Sequence, residues 1–225
     1  TRNNYQLQTH APRRLTQING PGPHLSRLTL SHLERRLREL PASVRCVVLS
    51  GSLPPGAPST TYRRLIGILK RHGVLIVLDT SGPALRDGLA ARPWLTKPNR
   101  QEAEELFGRR IRGPADAAKA AAAIVARGPA ATIVSLGPKG AVLARRGSPI
   151  QWWGRGPRVR VDSPVGAGDA LVAGFLVGWL RTRSWQEAFR LGVACGTACV
   201  MTPGTALCRA RDVQRLRRRV VIRAL

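Results

Sequence analysis

Acidic residues are scarce: 12 Asp and Glu stand against 37 Lys and Arg, a formal charge of +25 at pH 7. Lysine is scarce as well, occurring only at positions 70, 97, 119 and 139, so the excess is nearly all arginine, spread along the chain. A field of that sign attracts polyanions. Aromatic residues, however, make up only 4% of the chain and do not interleave with the basic ones. That excludes the stacking platform of a single-strand nucleic-acid binder. Nucleic acid is therefore expected only as a non-specific partner, a by-product of arginine-rich composition. Cysteine is limited to Cys46, Cys195, Cys199 and Cys208, none in a CxxC pair, and the four histidines all lie at or before residue 72. This pattern lacks the ligand spacing of a structural zinc site and reads as reduced, buried thiols. No apolar run is long enough to span a bilayer, and no hydrophobic leader core follows Thr1. The reading is a cytoplasmic protein with no membrane partner.

What is present is a globular chain of 225 residues, 43% hydrophobic, with Gly and Pro dispersed rather than clustered. Residues 1–20 read as two short strands around a turn. Heptad-like leucines between Ser26 and Leu40 predict an amphipathic helix. From there apolar strand runs alternate with helical patterns. Strands are expected at 44–49, 74–78, 131–135 and 141–144, with further strand running towards Val159–Val161. Helices are expected at 60–71, 84–89, after Pro98-Asn99, and at 114–127, 167–181, 185–201 and 212–219. That alternation predicts an α/β fold with a largely parallel sheet, whose C-terminal strand ends carry ligands. No fixed-period repeat is visible.

The chain is organised around Asp162-Ser163-Pro164-Val165-Gly166-Ala167-Gly168-Asp169, followed by an apolar helix through Leu171, Val172, Phe175, Leu176 and Trp179. Three small residues leave the backbone unguarded, and first-turn N–H groups of a helix have no intrahelical partner. Gly166, Ala167 and Gly168 are therefore expected to form an anion hole of main-chain donors, aided by the helix dipole. A carboxylate opposes a bound anion, so Asp169 at its edge points to a base placed where charge is transferred. The plain alternative is a glycine turn with Asp169 as a helix cap.

This stretch resembles the second signature of the PfkB (ribokinase-like) sugar kinases. So, in the right order, do Ser50-Gly-Ser-Leu-Pro-Pro-Gly56, Trp94-Leu-Thr-Lys-Pro-Asn-Arg-Gln-Glu102 and Ser135-Leu-Gly-Pro-Lys-Gly140. Thr1-Arg2-Asn3-Asn4 and Gly204-Thr205-Ala206-Leu207-Cys208 are most similar to the minor bacterial 6-phosphofructokinase branch of that family. The resemblance implies a three-layer α/β/α sandwich over 21–225, with residues 1–20 the remnant of a small β-sheet lid. It implies ATP-dependent phosphorylation of fructose 6-phosphate to fructose 1,6-bisphosphate. Sister activities are 1-phosphofructokinase and tagatose-6-phosphate kinase, and a reading of another class is an inactive truncated relative that binds polyanions.

Carried over residue by residue, Asp169 matches the catalytic base. Arg2 and Asn4 match sugar-phosphate contacts, and a guanidinium suits that task by its fork geometry. Ser52 lies in the loop bordering the sugar. Lys97, Asn99 and Glu102 match the region near the ATP phosphates, with Glu102 holding Mg²⁺ through water. Ser135, Gly137 and Gly140 match the nucleotide loop, and Val193 and Thr197 the wall beside the base. Ser163, Val165, Cys199, Thr202 and Gly204 fall where this group binds K⁺ through backbone carbonyls. A homodimer formed through the lid is also implied. Each residue has a plainer role available: Arg2 as a solvated strand residue, Lys97 as a surface lysine, Ser52 as turn chemistry, Ser135 as a strand end.

Three departures stand out. The family's first third, with its Gly-Gly-Lys-Gly-Asn substrate loop and first sheet strands, is expected upstream of Thr1. Pro164 replaces a usual Thr. Thr202 and Ala206 replace an Asn and an Arg near the cation position.

Overall fold

The computed structural model describes residues 3–10 and 13–225. A hairpin comes first: β1 (Asn4–His10) pairs antiparallel with β2 (Arg13–Asn19). It forms a sheet of its own, apart from the main one. Helix α1 (Arg27–Arg38) follows, with Ser26 accepting the Thr29 N–H as its cap.

A repeated strand–helix unit then builds the main sheet: β3 (Cys46–Ser50), α2 (Thr61–Leu69), β4 (Leu75–Asp79), α3 (Gly82–Leu89) and β5 (Leu95–Thr96). Two helices, α4 (Arg100–Phe107) and α5 (Pro114–Ala126), cross to β6 (Ala131–Ser135). Strands β3 to β6 are mutually parallel and lie in chain order. Each crossover therefore lands on the same face. The sheet is then extended antiparallel by β7 (Ala141–Arg145), β8 (Trp152–Arg155) and β9 (Val221–Ala224), giving seven strands. The other face is covered by α6 (Ala167–Thr182), α7 (Trp185–Cys199) and α8 (Ala210–Arg217).

The result is the expected three-layer α/β/α sandwich with a mixed sheet. Side chains of a strand alternate between faces, and the two cores divide accordingly. Ile76, Leu78, Val134 and Val142 join α2, α3, α4 and α5 on one side. Val77, Leu95, Ile133 and Leu143 join α6, α7 and α8 on the other. Strands buried on both faces read as continuous apolar runs, which is why β4 and β6 were visible in the sequence.

Two expectations are corrected. The strand foreseen towards Val159–Val161 ends at Arg155. Pro157 has no N–H for a ladder, and Gly156 lies so close to Thr197 that a Cβ would stand 2.2 Å from its Oγ1. The final helix lies two residues earlier, at Ala210–Arg217, and a strand, β9, follows it.

At the end of α6 remote from Asp169, Trp179 and Trp185 lie 4.5 Å apart by ring centroids, and Trp94 stacks on Trp185 at 5.3 Å. No helix among the described residues is long and apolar enough to cross a membrane.

Candidate active site

The C-terminal ends of β3, β4, β5 and β6 meet at one edge of the sheet. Gly51, just past β3, donates its N–H to the Asp79 carbonyl at 2.9 Å, and Thr80 Oγ1 donates back to the Gly51 carbonyl at 2.8 Å. Thr96, fully buried, donates to the Leu78 carbonyl at 2.8 Å. These bonds fix the ends of neighbouring strands and so aim Asp79 and Lys97 into the same space.

Lys97 Nζ lies 3.2 Å from Asp79 Oδ1, and both side chains are largely buried. A lysine so buried is not a surface lysine; burial of an ammonium needs a partner, and Asp79 supplies it. Burial pushes the Asp79 carboxyl up, the adjacent Lys97 pulls it down, and the nearby Asp169 charge pushes it up again.

Asp169 itself is exposed, in the first turn of α6. Gly166 caps that helix in the left-handed region, φ 75°. The N–H of Ala167 turns back to the Pro164 carbonyl at a long 3.4 Å. Among the described residues, the N–H groups of Gly168 and Asp169 have no acceptor. The Gly166 N–H likewise has no acceptor among the described residues, so of the expected Gly166–Gly168 set only Ala167 is turned inward, and Asp169 adds a further open donor. Gly168 is where bulk is excluded: a Cβ there would meet Lys97 Nζ at 3.0 Å.

Asn99 and Glu102 form a reciprocal helix cap. Asn99 Oδ1 accepts the Glu102 N–H at 3.0 Å, and Glu102 Oε2 accepts the Asn99 N–H at 2.8 Å. This capping box is a structural role that the Asn-x-x-Glu spacing serves in its own right. Glu102 also belongs to the charged group. Burial raises its carboxyl, the Asn99 N–H and Lys97 lower it, and Asp79 and Glu105 raise it.

The nucleotide-loop residues are brought alongside. Asn99 and Ser135 bridge as parallel neighbours, and the Ser135 N–H donates to the Pro98 carbonyl at 3.0 Å. Gly137 and Gly140 bound a single 3-10 turn at φ 58° and 89°. Gly140 packs tightly enough on β8 that a Cβ would stand 2.1 Å from the Gly154 carbonyl. Val193 is buried in the second core, and the Thr197 hydroxyl donates to the Val193 carbonyl at 2.7 Å. Ser52 is on the exposed loop after β3, and Asn4 is exposed at the start of β1. Arg2 lies outside the described residues.

Mg²⁺ fits the acidic pair. Asp79 and Glu102 are partly buried carboxylates, each raised by burial, and the Asp79 charge raises Glu102 further. Among the described residues no three metal-ligating side chains gather. A hard cation at this place would be held by one or two carboxylates and completed by water and substrate oxygens, a usual magnesium arrangement.

The residues expected at a K⁺ site are gathered but not open. The Val165 carbonyl accepts from Cys199 Sγ at 3.5 Å. The Cys199 carbonyl accepts both the Thr202 N–H at 3.1 Å and its hydroxyl at 2.7 Å. The Thr202 hydroxyl has a single proton and also lies 2.8 Å from the Ala206 carbonyl, so it engages the second lone pair of Cys199 only in part. Ser163 is buried beside the Val200 carbonyl, and Gly204 sits on an exposed loop. A monovalent cation at this place would compete with internal donors for the Val165 and Cys199 carbonyls.

Asp79 is the residue the sequence reading passed over as part of an exit loop. Its signal was available: a carboxylate ending a doubly buried strand, on the sheet edge where ligands bind.

Comparison with known proteins agrees with this geometry. Residues 1–211 match the model of the pfkB family carbohydrate kinases. The chain is 35% identical over 218 residues to the ATP-dependent 6-phosphofructokinase isozyme 2 of Escherichia coli, covering 96% of this chain and 70% of that protein. It is also 35% identical over 198 residues to the 1-phosphofructokinase of Bacillus subtilis, covering 88% of this chain and 63% of that one. The chain therefore spans about two thirds of these relatives' length. Among solved structures, Escherichia coli phosphofructokinase-2 in complex with potassium superposes with a TM-score of 0.86 at 32% identity, over 96% of this chain and 69% of that one. The same enzyme has been solved with fructose-6-phosphate and in a tetrameric inhibited form. Arabidopsis thaliana ribokinase, with a TM-score of 0.74 at 22% identity over 96% of this chain and 69% of its own, shares the fold. By its match over residues 1–211 and by these identities, the chain belongs to the pfkB family of carbohydrate kinases.

Proposed function

We propose that the whole protein transfers the γ-phosphoryl group of ATP to O1 of fructose 6-phosphate. The observation that carries this reading is the convergence of Asp169, Lys97 and Asp79 at the open end of the parallel strands, beside free main-chain donors at Gly168 and Asp169. Asp169, exposed at the start of α6, takes the proton of the sugar hydroxyl as the sugar oxygen bonds to the γ-phosphorus and the bond to the β-phosphate oxygen breaks. Phosphoryl transfer asks for positioning and charge neutralisation more than for covalent chemistry. Lys97, fixed by Asp79, presents a cation to the phosphate oxygens, and the Gly168 and Asp169 N–H groups present donors. Glu102 and Asp79 would hold Mg²⁺, which when bound neutralises charge on the transferring group.

The same reading makes residues 1–20 the lid and 21–225 the α/β domain. Tyr5 and Leu7, on one face of β1, are exposed along with Ile18, the partner of Tyr5 on β2. An apolar face on a free-standing hairpin supports a homodimer formed through the lid. Arg2 and Asn4 would then reach the sugar phosphate from it, with Ser52 opposite. Ser135, Gly137, Gly140, Val193 and Thr197 would line the nucleotide.

A second reading, 1-phosphofructokinase, is favoured by the equal 35% identity to the Bacillus subtilis enzyme. A coupled ADP assay on the full-length protein separates the two: fructose 6-phosphate, fructose 1-phosphate and tagatose 6-phosphate are offered in parallel. The expected result is a clear preference for fructose 6-phosphate. Asp169→Asn is expected to lower kcat by about 10²–10⁴-fold, the range for loss of a general base, with nucleotide affinity little changed. Turnover of all three sugars by Asp169→Asn at the wild-type rate would end this assignment.

A further inference from the structure

A second concavity lies at the opposite end of the sheet. It is a cavity of about 480 Å³ between the C-terminus of α5, the segment entering β6 and the segment leaving β7. Four arginines line it, Arg92, Arg127, Arg145 and Arg146, together with the polar Ser148 and Gln151, and no acidic residue does. An adjoining recess of about 260 Å³ shares Arg92 and Arg146 and adds Lys70. Among the described residues, none of the four arginines is paired with a carboxylate.

Their placement is built into the backbone. Arg92 sits in the left-handed region at φ 54°, a conformation costly for a side-chain-bearing residue. Gly128, at φ 148°, packs beneath it: a Cβ there would meet the Leu89 carbonyl at 2.1 Å and Arg92 Cγ at 3.4 Å. Arg146 is partly consumed in structure, donating to the Gly128 carbonyl and to that of Pro129 at 3.1 Å. Arg145 is different. Its guanidinium lies 5.8 Å from the Trp152 ring centre, and its Nε is buried with no acceptor. An Nε out of reach of solvent is also out of reach of a ligand in the cavity, so Arg145 contributes positive charge to its wall rather than a donor. Arg127, exposed at the rim, has no partner to hold it elsewhere.

We propose that this arginine-lined cavity binds a compact, multiply charged phosphate compound, with Arg92 and Arg127 as its anchors. Guanidinium groups match phosphate oxygens in fork geometry, and the volume suits a small molecule. The cavity lies at the N-terminal end of β6 and the candidate active site at its C-terminal end, five residues away. At about 3.3 Å per residue that is roughly 16 Å. The cavity is thus a separate site, and it stands whether or not the kinase assignment does.

The test titrates inorganic tripolyphosphate into the full-length protein in EDTA at about 0.15 M salt, where exposed charges are screened beyond about 8 Å. Affinity is read by calorimetry and location by amide hydrogen exchange. Tripolyphosphate is expected to protect amides of 127–130 and 145–148. Arg92→Gln/Arg127→Gln is expected to weaken this binding by about tenfold or more, in line with loss of charge-assisted bonds. Arg127→Gln alone, at an exposed position, is expected to weaken it severalfold. Arg158→Gln/Arg160→Gln removes the same charge from a solvated segment and is expected to leave affinity within about twofold. The proposal is overturned if both double variants lose affinity equally, which would mark diffuse attraction to a basic surface. It is equally overturned if protection appears only around 166–169, or if wild type does not bind.

Discussion

Gly168 and Lys97 are fitted to each other: a Cβ on the glycine would stand 3.0 Å from the lysine Nζ and 3.3 Å from its Cε. The ammonium cannot swing clear easily, because Asp79 holds it from the other side at 3.2 Å. Gly168→Ala therefore separates stability from activity. Alanine at the second position of α6 improves helix propensity by up to about 1 kcal/mol, which offsets the local crowding. The thermal midpoint is expected to stay within about 4 °C of wild type. Turnover is expected to fall about tenfold or more, because a displaced cation no longer meets the phosphate. Steady-state kinetics beside a thermal melt checks both. Undiminished kcat would remove Lys97 from the reaction.

The Lys97–Asp79 pair is buried, so breaking it on one side exposes the other to its full desolvation cost. Lys97→Met is expected to destabilise by about 3 kcal/mol at pH 7, within the range for broken buried pairs. Loss of Lys97 removes the influence that lowers the Asp79 carboxyl, so that acid rises further. A raised carboxyl is unfavourable to folding once ionised, and the cost disappears below its unfolded value. The deficit is therefore expected to shrink as pH falls towards about 4. Lys97→Met/Asp79→Asn is expected to recover part of the loss at pH 7. Urea midpoints at three pH values decide, and a pH-independent deficit would contradict the pairing.

Glu102 carries two jobs that glutamine divides. The amide oxygen of Glu102→Gln keeps an acceptor for the Asn99 N–H, so the cap survives. The charge does not. Because burial raises the Glu102 carboxyl in the folded protein, its contribution to stability is complete below the unfolded value and is lost as pH rises through the folded one. Wild type therefore carries at pH 7 a cost that the glutamine variant lacks. Glu102→Gln is expected to melt at the same temperature or higher at pH 7, with the difference vanishing near pH 4. Its Mg²⁺ requirement is expected to rise about tenfold or more, since a hard cation loses a carboxylate. An unchanged magnesium titration would take Glu102 out of the metal shell.

Potassium would have to compete with the Thr202 N–H and hydroxyl for the Cys199 carbonyl and with the Cys199 thiol for that of Val165. Activity is expected to be the same in K⁺, Na⁺ and tetramethylammonium salts at equal ionic strength. Thr202→Asn is the informative companion, since it removes the hydroxyl that blocks the carbonyl. Strong, selective activation of wild type by K⁺ would show that these oxygens reopen when substrate binds.

Much of this architecture was written locally. The doubly buried runs of β4 and β6, the leucine stripe of α1 and the glycine loop before α6 each carry their own signal within a few residues. So does the Asn99–Glu102 cap, whose two members lie three residues apart. What escaped depends on distant partners. Nothing near Asp79 in the chain says that Lys97 will close on it, because that contact exists only after β4 and β5 pair. Strand β9 follows an arginine-rich helix and earns its pairing from β8, almost seventy residues earlier. The withdrawal of the Ala167 N–H from the glycine loop follows from the left-handed Gly166, which bends Ala167 back on Pro164.

The tryptophan cluster gives the molecule an optical signature of its own. Trp179 rides on the helix that begins at the glycine loop, with Trp185 at 4.5 Å and Trp94 at 5.4 Å. Indoles that close couple their electronic transitions, so the trio should dominate the near-ultraviolet circular dichroism and superimpose an exciton couplet on the helical far-ultraviolet spectrum. Any event at the loop that tilts α6 as a rod would be broadcast to that far end as a change in ellipticity, with no dye attached.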